Sequence, residues 1–439
     1  MAAHAPSRSS EQLRPTRVRY GVVGFAVGLA IITYFDRVAL SKASGQIRAD
    51  LGLTKAQMGL VFAAFAGAYA LFEIPSGYLG DRLGPRRVLM RIVLWWSAFT
   101  AAMGATVNFL SLFLTQLFFG AGEAGCFPNI TKAFSAWLPR EERVRAQGII
   151  WLAARWGGAF TPFIVYELLR FISWRKVFLI FGAVGIVWAV FFYRWYRDDP
   201  RDNPQLNQAE LDLLRGNQGL AGAHGKVPWR LFATTPDVIM LCLQYFFMSF
   251  SWYFYITWLP TFLDELKLNP ALSATLNILP LFLGGIGALV SGYMAAPLTR
   301  MFGSVRTARR VLCSSSFLCA AALLVLSTGA KDPWLKMIAI GMASFFNDVV
   351  LPPAWGACMD IGGRFSGTLS GAMNMTGNFG GVVFPTTTAF VLAHFQNDWN
   401  LVFYICAASY ICAAVLWMKL DAVTPVERPD IIESQTPDC

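Results

Sequence analysis

The chain is dominated by apolar stretches that are long enough to cross a membrane. A helix that spans the roughly 30 Å hydrocarbon core of a bilayer needs about 20 predominantly apolar residues. Backbone polar groups in lipid must be hydrogen-bonded within the protein, and the short alternating segments of a β-barrel are not seen. The pattern therefore predicts an all-α polytopic membrane protein with twelve transmembrane helices. The stretches lie at residues 20–41, 56–78, 88–106, 109–133, 144–168, 174–195, 236–263, 271–297, 308–328, 334–357, 366–392 and 397–418.

Charged residues are few, and the basic ones lie in short loops. They make up 14% of the 439 positions, whereas a soluble protein carries about a quarter. The net charge of +10 could indicate nucleic-acid binding, but the bases cluster in alternate loops. This placement follows the positive-inside rule. It predicts a multi-pass protein of the cell (inner) membrane with cytoplasmic termini and no nucleic-acid partner. The basic groups are Arg8, Arg14, Arg17 and Arg19; Arg82, Arg86 and Arg87; Arg140, Arg143 and Arg145; and Arg300, Arg306, Arg309 and Arg310.

The sequence contains no motif typical of a metal site, a redox centre or an enzyme active site. The eight cysteines are scattered and form no CxxC motif, so we expect no metal site, disulfide framework or cofactor. No P-loop pattern is present, so we do not expect ATP to drive this protein. Because no stretch carries a nucleophile–base arrangement, we also do not expect an enzyme.

One polar segment interrupts the apolar stretches. Residues 197–235 open with Arg-Asp-Asp-Pro-Arg-Asp-Asn-Pro and continue through Gly-rich polar sequence. They predict a cytoplasmic linker between an N-terminal six-helix bundle at 1–196 and a C-terminal six-helix bundle at 236–420. A short amphipathic helix is expected at 208–214, and the polar tail at 421–439 is expected to be flexible.

The two halves repeat each other. Four short motifs recur in the same order at similar offsets, which predicts two pseudo-symmetric bundles. Such repeats are typical of transporters whose binding site lies between the halves. The matching motifs are Gly77-Tyr78-Leu79 with Gly292-Tyr293-Met294, Gly157-Gly158-x-x-x-Pro162 with Gly380-Gly381-x-x-x-Pro385, Ile32-Thr33-Tyr34 with Ile256-Thr257-Trp258, and Trp174 with Trp399.

The loop at residues 77–87, Gly-Tyr-Leu-Gly-Asp-Arg-Leu-Gly-Pro-Arg-Arg, resembles the signature of the major facilitator superfamily between its second and third spans. Further segments resemble the anion:cation symporter branch, which includes sugar-acid, hexuronate and sialin-type carriers. The resemblance implies the fold of that superfamily, alternating access and a monomer. The further segments are Tyr34-Phe35-Asp36-Arg37, Ala121-Gly122-Glu123-Ala124 with Phe127-Pro128, Asp-Asp-Pro-Arg at 198–201, and Asn374-x-x-Gly377-Asn378-x-Gly380-Gly381.

Six ionisable residues lie inside the predicted spans. Each costs at least about 2.5–3.5 kcal/mol to insert, so each is a functional candidate. The resemblance implies proton coupling at Asp36 and Glu123 and substrate binding at Arg37. The alternatives are an ion pair of Asp36 and Arg37 near the outer end of the first span, and a protonated structural acid at Glu123. The six are Asp36, Arg37, Glu73, Glu123, Arg155 and Asp348.

Arg155 is the second candidate for substrate binding. The sugar-acid carriers have an arginine at about the position of Gln116, where this chain has a neutral amide. The repeat sets Arg155 opposite Asn378, so we expect both to face the cavity. A guanidinium there could hold a carboxylate with two hydrogen bonds. The alternative is that Arg155 is satisfied by Glu123 or by a carbonyl.

Polar and aromatic residues could line the same cavity. They could donate hydrogen bonds to hydroxyl groups or stack on a ring, although aromatic residues in spans more often serve packing. The resemblance favours Tyr34, Tyr69, Trp355 and Asn374. The predicted binding set besides the arginines is Tyr34, Tyr69, Gln244, Trp355, Asn374 and Asn378, with Trp252 and Tyr255 as less specific candidates.

Asp81, Arg82 and Glu73 are predicted to act as a gate. Asp81 could cap a neighbouring helix N-terminus or pair with a base, and such a contact stabilises one conformation. Glu73 could titrate or pair with a base near the cytoplasmic surface, and Asp348 is equally open. The second copy of the loop has Ala295-Ala296-Pro297 in place of the acid, which predicts a weaker contact there.

These features together predict a secondary active transporter. We expect proton-coupled symport of a small organic anion, such as a sugar acid or another carboxylate, across a lipid bilayer. Proton-coupled efflux of a drug or metabolite is a second hypothesis, because direction is not written in the sequence. A membrane sensor that does not transport is a third, but the linker and tail are short for a signalling domain.

Overall fold

The computed structural model describes residues 14–217, 219–220 and 227–427. Arg8 and most of the predicted flexible tail lie outside this part of the chain. Regular structure within the described residues is entirely helical. The helices of the N-terminal half are α1 (Arg19–Leu51), α2 (Lys55–Leu83), α3 (Pro85–Met103), α4 (Phe109–Glu123), α5 (Cys126–Trp137), α6 (Arg140–Phe171) and α7 (Trp174–Trp195).

The linker and the C-terminal half follow the same helical plan. The linker contains 3-10 turns at Pro200–Asp202 and Arg215–Asn217 around α8 (Gln208–Leu213), and then α9 (Trp229–Thr234). The predicted amphipathic helix at 208–214 is therefore present. The C-terminal half contains α10 (Pro236–Thr257), α11 (Leu259–Glu265), α12 (Pro270–Phe302), α13 (Val305–Gly329), α14 (Pro333–Val349), α15 (Leu351–Gly362), a 3-10 turn at Gly363–Phe365, α16 (Ser366–His394) and α17 (Trp399–Lys419).

The protein crosses the membrane twelve times. Ten helical segments of the described chain have the length and hydropathy of a membrane span. One of them, Pro333–His394, has 62 residues and reverses direction at Gly363 (φ 51°), so it makes two passes. α3 is the remaining span, and its 19 residues are less apolar because they begin with Pro-Arg-Arg. The predicted fold class, two pseudo-symmetric six-helix bundles, is confirmed.

The ends of several helices are fixed by side-chain caps. The Thr54 hydroxyl accepts a hydrogen bond from the backbone N–H of Gln57, and the Gln57 side-chain oxygen accepts one from the backbone N–H of Thr54. Asn108 and Ser111 form the same reciprocal arrangement at the start of α4. Each box satisfies two backbone N–H groups that the first turn of a helix leaves unpaired. The spans therefore begin at positions that their own sequence specifies.

Two spans are broken at equivalent points, and both breaks lie beside the candidate site. α4 ends at Glu123 and α5 begins at Cys126, with Gly125 between them at φ 82°. A Cβ at Gly125 would also collide with the Ser76 side chain, so only glycine fits. In the second half, α14 ends at Val349 and α15 begins at Leu351, and this interruption is milder because Val350 keeps helical dihedral angles (φ −82°, ψ −21°). Each break places the last turn of a half-helix, and its acidic residue, deep in the bundle.

The first helix is longer than the sequence predicts. We expected a span at 20–41 with Asp36 and Arg37 near its outer end, but α1 continues to Leu51. Ala43 and Ile47 stay buried on the packed side of this extension, which keeps the helix intact through its polar residues. Asp36 and Arg37 therefore lie near the middle of α1, and the placement at the helix end was wrong.

The two bundles meet closely at one end of the molecule. We call this end the linker face, because α1 begins there, the linker joins there and α17 ends there. Gly77 of α2 packs against the backbone of Gly367 in α16, and Gly148 of α6 packs against Gly292 in α12. The absence of a side chain at these glycines lets the backbones touch. The repeat read from Gly77 and Gly292 is thus a repeat of contacts between bundles.

Candidate functional site

A cluster of polar residues lies where the two bundles face each other, midway along the spans. We call it the central cluster. It is built on two acid–arginine pairs, with tyrosine and asparagine side chains around them. Its members are Tyr34, Arg37, Tyr69, Glu73, Glu123, Arg155, Tyr253, Asp348, Asn374 and Asn378.

The first pair joins Arg37 of α1 to Glu123 at the end of α4. Arg37 Nε donates to Glu123 Oε1 over 2.7 Å. The glutamate is fully buried, whereas 22% of the Arg37 side chain is exposed. The guanidinium carbon lies 4.3 Å from the ring centroid of Tyr69 and 5.8 Å from that of Tyr34. This pair lies within the N-terminal bundle, and its arginine is the accessible partner.

Asp36 faces away from this pair. Its side chain is buried against Trp96 and Thr100 of α3, with neither carboxyl oxygen in a hydrogen bond of good geometry. Adjacent residues of a helix point about 100° apart, which separates Asp36 from Arg37. The alternative of an Asp36–Arg37 ion pair is therefore not observed.

The second pair joins Arg155 of α6 to Asp348 of α14. Arg155 Nε and Nη2 donate to the two carboxylate oxygens over 2.5 and 3.0 Å. Both side chains are buried, with exposures of 4% and 0%. Asn347 donates a further hydrogen bond to Asp348 over 2.8 Å. Since α6 and α14 belong to different bundles, this pair crosses the bundle interface. Its acid is not Glu123, which the sequence had offered as the alternative partner.

Tyr34 connects the two pairs. The Nη1 atom of Arg155 donates to the Tyr34 hydroxyl over 3.4 Å, while the guanidinium of Arg37 lies on the side of the same ring. On the other side of Arg155, the Trp252 ring lies 4.0 Å from the guanidinium carbon. Both cations therefore lie close to the side chain of Tyr34.

Glu73 joins α2 to α16 through neutral hydrogen bonds. The Asn374 amide donates to Glu73 Oε1 over 2.8 Å and to the Tyr69 hydroxyl over 3.3 Å. Asn378 lies one turn further along α16, and its carbonyl oxygen accepts from Tyr253 over 3.1 Å. Glu73 thus bonds an amide and not the cytoplasmic base that the sequence left open.

Two residues of the predicted binding set lie outside the central cluster. Trp355 is fully buried, donates to the Tyr245 hydroxyl over 3.1 Å and packs on Trp151 beneath Arg155. Gln244 is buried between α10 and α17, where its carbonyl oxygen accepts from the Trp417 indole over 2.9 Å. Gln116 is also buried. Trp355 supports the cluster from below, whereas Gln244 serves packing within the C-terminal bundle.

The sequence matches of the whole chain identify its family. Residues 26–385 match the family described as the Major Facilitator Superfamily. The chain belongs to the major facilitator superfamily. It is 30% identical to the probable sulfoacetate transporter SauU of Cupriavidus necator, covering 94% of this chain and 96% of that one. It is also 30% identical to a D-galactonate transporter of Escherichia coli, covering 91% and 95%.

Solved structures of the superfamily show the same fold. The fucose:proton symporter of E. coli superposes with a TM-score of 0.71, covering 91% of this chain and 98% of that one at 14% identity. The resemblance inferred from the 77–87 loop and the anion:cation symporter motifs is confirmed by these matches. The protein is a multi-pass member of a transporter superfamily.

Asp81 of this superfamily member caps a helix of the opposite bundle. At the linker face its carboxylate accepts from the backbone N–H of Gly367 over 3.1 Å and of Thr368 over 2.6 Å, and from the Thr368 hydroxyl over 2.7 Å. Lys132 Nζ lies 3.5 Å away. A carboxylate at the N-terminus of α16 is stabilised by the unpaired N–H groups and the helix dipole. Arg82, in contrast, is exposed and reaches only the Tyr78 hydroxyl, at 3.5 Å.

The acid that the second loop copy lacks comes from another helix. Asp360 of α15 accepts from Arg309 Nη2 over 2.7 Å and from Arg143 Nη1 of the N-terminal bundle over 3.3 Å. Beside it, Arg145 donates to the Tyr293 hydroxyl over 3.0 Å. The linker face is therefore joined by two acid-based contacts that are not related by the repeat.

Asp348 and Asp360 were not placed in the site by sequence reasoning. A signal for Asp348 was present, because Glu123 and Asp348 are 225 residues apart, the same spacing as Trp174 and Trp399. For Asp360 the only signal was an acid at the end of a span facing two basic loops. Neither signal identifies the partner, because the pairing depends on how helices from two bundles face each other.

Proposed function

We propose that this protein is a secondary active transporter that takes up an organic anion together with protons across the cell (inner) membrane. The observation that carries this proposal is the pair of arginines in the central cluster. Arg37 and Arg155 both lie near Tyr34, and each is held by one buried carboxylate. The two pairs are neutral together without substrate and have two cations to offer an anion.

The arginines give the anion its binding groups. A guanidinium presents paired N–H donors that match a carboxylate, and the pairing is strong in a site that water does not fill. Arg37 is partly exposed, so it is the group that an entering anion meets first. Tyr34, Tyr69, Asn374 and Asn378 supply neutral donors and acceptors for hydroxyl groups. The sulfoacetate and galactonate transporters among its relatives support an organic acid, such as a sugar acid or another carboxylate.

The buried acids give the transport its coupling to protons. When an anion takes Arg37 from Glu123, the glutamate is left buried without a counter-charge. An unpaired buried charge costs several kcal/mol, so proton uptake by Glu123 accompanies anion binding. Asp36 is buried without an ionic partner and is the second acid that would carry a proton.

The linker face gives the transporter its orientation. By the positive-inside rule, its basic loops support a cytoplasmic position for this face and for both termini. Asp81 and Asp360 hold the bundles together at this face, so the substrate enters from the opposite side. Breaking these contacts while the bundles rock about the central cluster would complete alternating access. Asp81 and Glu73, which join α2 to α16, are thus the proposed gate contacts.

The proposal is tested with purified protein in liposomes. We expect accumulation of carboxylates driven by an inward proton gradient. Arg37→Ala should abolish it, and Glu123→Gln should remove its dependence on the gradient. Arg91→Ala is the matched control, because Arg91 is exposed on α3 away from the central cluster. Accumulation of neutral sugars that is indifferent to Arg37→Ala would refute the proposal. Export of an anion that is driven by protons moving in the opposite direction would favour efflux.

A further inference from the structure

We infer that the transported anion carries two negatively charged groups, one for each arginine, and that Asp348 is a second proton-binding acid that releases Arg155 to the second group. This inference rests on the proposed function. It adds a substrate class, a short dianion, and a stoichiometry of two protons exchanged at Glu123 and Asp348, with Asp348 taking the place of Asp36 as the second acid in the exchange.

The repeat makes Asp348 the counterpart of Glu123. Both acids lie in the last turn of a half-helix, immediately before the break that divides the fourth and the tenth span. Both are fully buried, and each is bound to one arginine. The equivalent positions and pairings of the two acids support the same proton-exchanging role for both.

The site around the second pair is built for a charged group. A Cβ on Gly284 of α12 would lie 2.6 Å from Asp348 Oδ2, and a Cβ on Gly285 would lie 3.2 Å from Arg155 Cβ. These glycines leave the room that the pair occupies. Arg155 of α6 is the charged group that faces Asp348, and Asn347 of α14 adds a neutral hydrogen bond to it. Breaking the pair therefore leaves Asp348 with no other counter-charge from these helices.

Charge balance permits a dianion if both acids take up a proton. The two pairs are neutral together: two guanidinium cations and two carboxylates. A monoanion can replace only one carboxylate, and the other arginine stays with its acid. A dianion replaces both, each freed acid takes one proton, and the site is neutral again. Both complexes avoid an uncompensated buried charge, but only the dianion complex engages both arginines and both of their acids.

Geometry sets the length of the dianion. Both guanidinium groups lie near one Tyr34 side chain: Arg155 Nη1 is 3.4 Å from its hydroxyl, and the Arg37 guanidinium carbon is 5.8 Å from its ring centroid. The two acidic groups of the substrate must therefore be separated by only a few bonds. The bidentate geometry of Arg155 with Asp348 is the arrangement that a substrate carboxylate would take over.

Proton binding at Asp348 also affects the contact between the two bundles. Arg155 and Asp348 hold α6 to α14 across the bundle interface, so their separation frees one of the links between bundles. Binding of the second acidic group and of the second proton would thus be required before the bundles rearrange. The first pair has no such effect, because both its members belong to one bundle.

The test compares acids of equal chain length in proteoliposomes near neutral pH. Succinate and butyrate differ by one carboxylate, as do malonate and propionate. We expect the wild-type protein to prefer the dicarboxylate by at least about tenfold, the effect of roughly 1.4 kcal/mol. Two protons should accompany each succinate, so a membrane potential set with potassium and valinomycin should not change the rate.

The double variant Arg155→Gln/Asp348→Asn removes the second pair without leaving a lone charge. We expect its succinate-to-butyrate ratio to fall by at least about tenfold, and its proton count to fall from two to one. Arg91→Ala should keep the wild-type ratio and count. If the double variant does not fold, the wild-type proton count still decides.

Three outcomes separate the inference from the proposed function. Butyrate carried as well as succinate, with one proton for each, would overturn the inference and leave anion symport standing. Succinate carried with one proton and driven by the membrane potential would remove Asp348 from the exchange. No anion uptake under any gradient would overturn the proposed function and the inference with it.

Discussion

The two acid–arginine pairs of the central cluster are alike in chemistry and different in position. Arg37 and Glu123 lie within one bundle, and the arginine is partly exposed. Arg155 and Asp348 lie in different bundles, and both are buried. The first pair can open without any movement of the helices that carry it. A large rotation of the bundles would separate the second pair. This pair therefore couples occupancy of the binding site to the relative orientation of the bundles.

The same contrast applies at the linker face and in the bundle interiors. Asp81 reaches from α2 to the N-terminus of α16, and Asp360 reaches arginines of both bundles. Gln244 and Trp417 bond within the C-terminal bundle alone. Contacts across the interface should therefore control conformation as well as stability, whereas contacts within a bundle should control stability alone. Four substitutions test this distinction, and their expected effects decrease in the order given.

Asp348→Asn should have the largest effect. It leaves the Arg155 charge buried and unpaired, which costs about 3–5 kcal/mol. Glu123→Gln should cost less, because the exposed part of Arg37 can be solvated. Thermal unfolding in detergent measures both, and adding Arg155→Gln to Asp348→Asn should recover most of the loss. Equal losses of thermal stability in Asp348→Asn and Glu123→Gln would contradict the expected difference between the two pairs.

Asp81→Asn should have the next largest effect and should act on conformation. The amide keeps one acceptor oxygen but loses the charge that caps α16, a change of about 1–3 kcal/mol. We expect the linker face to open more often. Ser366→Cys introduces a reporter thiol at a buried position of this face. With Asp81→Asn added, this thiol should react several times faster with a maleimide that does not cross membranes than it does with Asp81 intact. An unchanged labelling rate would mean that Asp81 does not hold this face closed.

Gln244→Leu should destabilise the protein without changing its conformational balance. It leaves the Trp417 indole N–H buried and unpaired, which costs about 1–3 kcal/mol. Because both residues belong to one bundle, the labelling rate at Ser366→Cys should stay at its reference value. A faster rate would show that packing inside a bundle also sets the gate.

Arg82→Ala should have the smallest effect. Its side chain is exposed and makes one long contact with Tyr78. Surface substitutions of this kind change stability by about 0.5 kcal/mol or less. We expect the melting temperature and the labelling rate to match those of the parent protein. A clear increase in labelling would place Arg82 in the gate, as the sequence motif suggested.

The sequence predicted the elements well and the pairings poorly. Twelve spans, the helix in the linker and the repeat were all readable, because length, hydropathy and periodicity act locally. It also picked out the charged residues inside the spans: Asp36, Arg37, Glu73, Glu123, Arg155 and Asp348. It misplaced Asp36 and Arg37 along α1, since the helix continues past its apolar stretch to Leu51.

By itself, the sequence determined that the chain would form membrane helices in two similar halves with charges buried between them. Burying a charge in a span is costly wherever it occurs, so its presence is informative without a structure. Only the tertiary structure decided that Arg155 pairs with Asp348 and not Glu123, and that Asp360 replaces the missing acid. Those choices depend on the rotation of each helix and on how two bundles face one another, across separations of up to 217 residues.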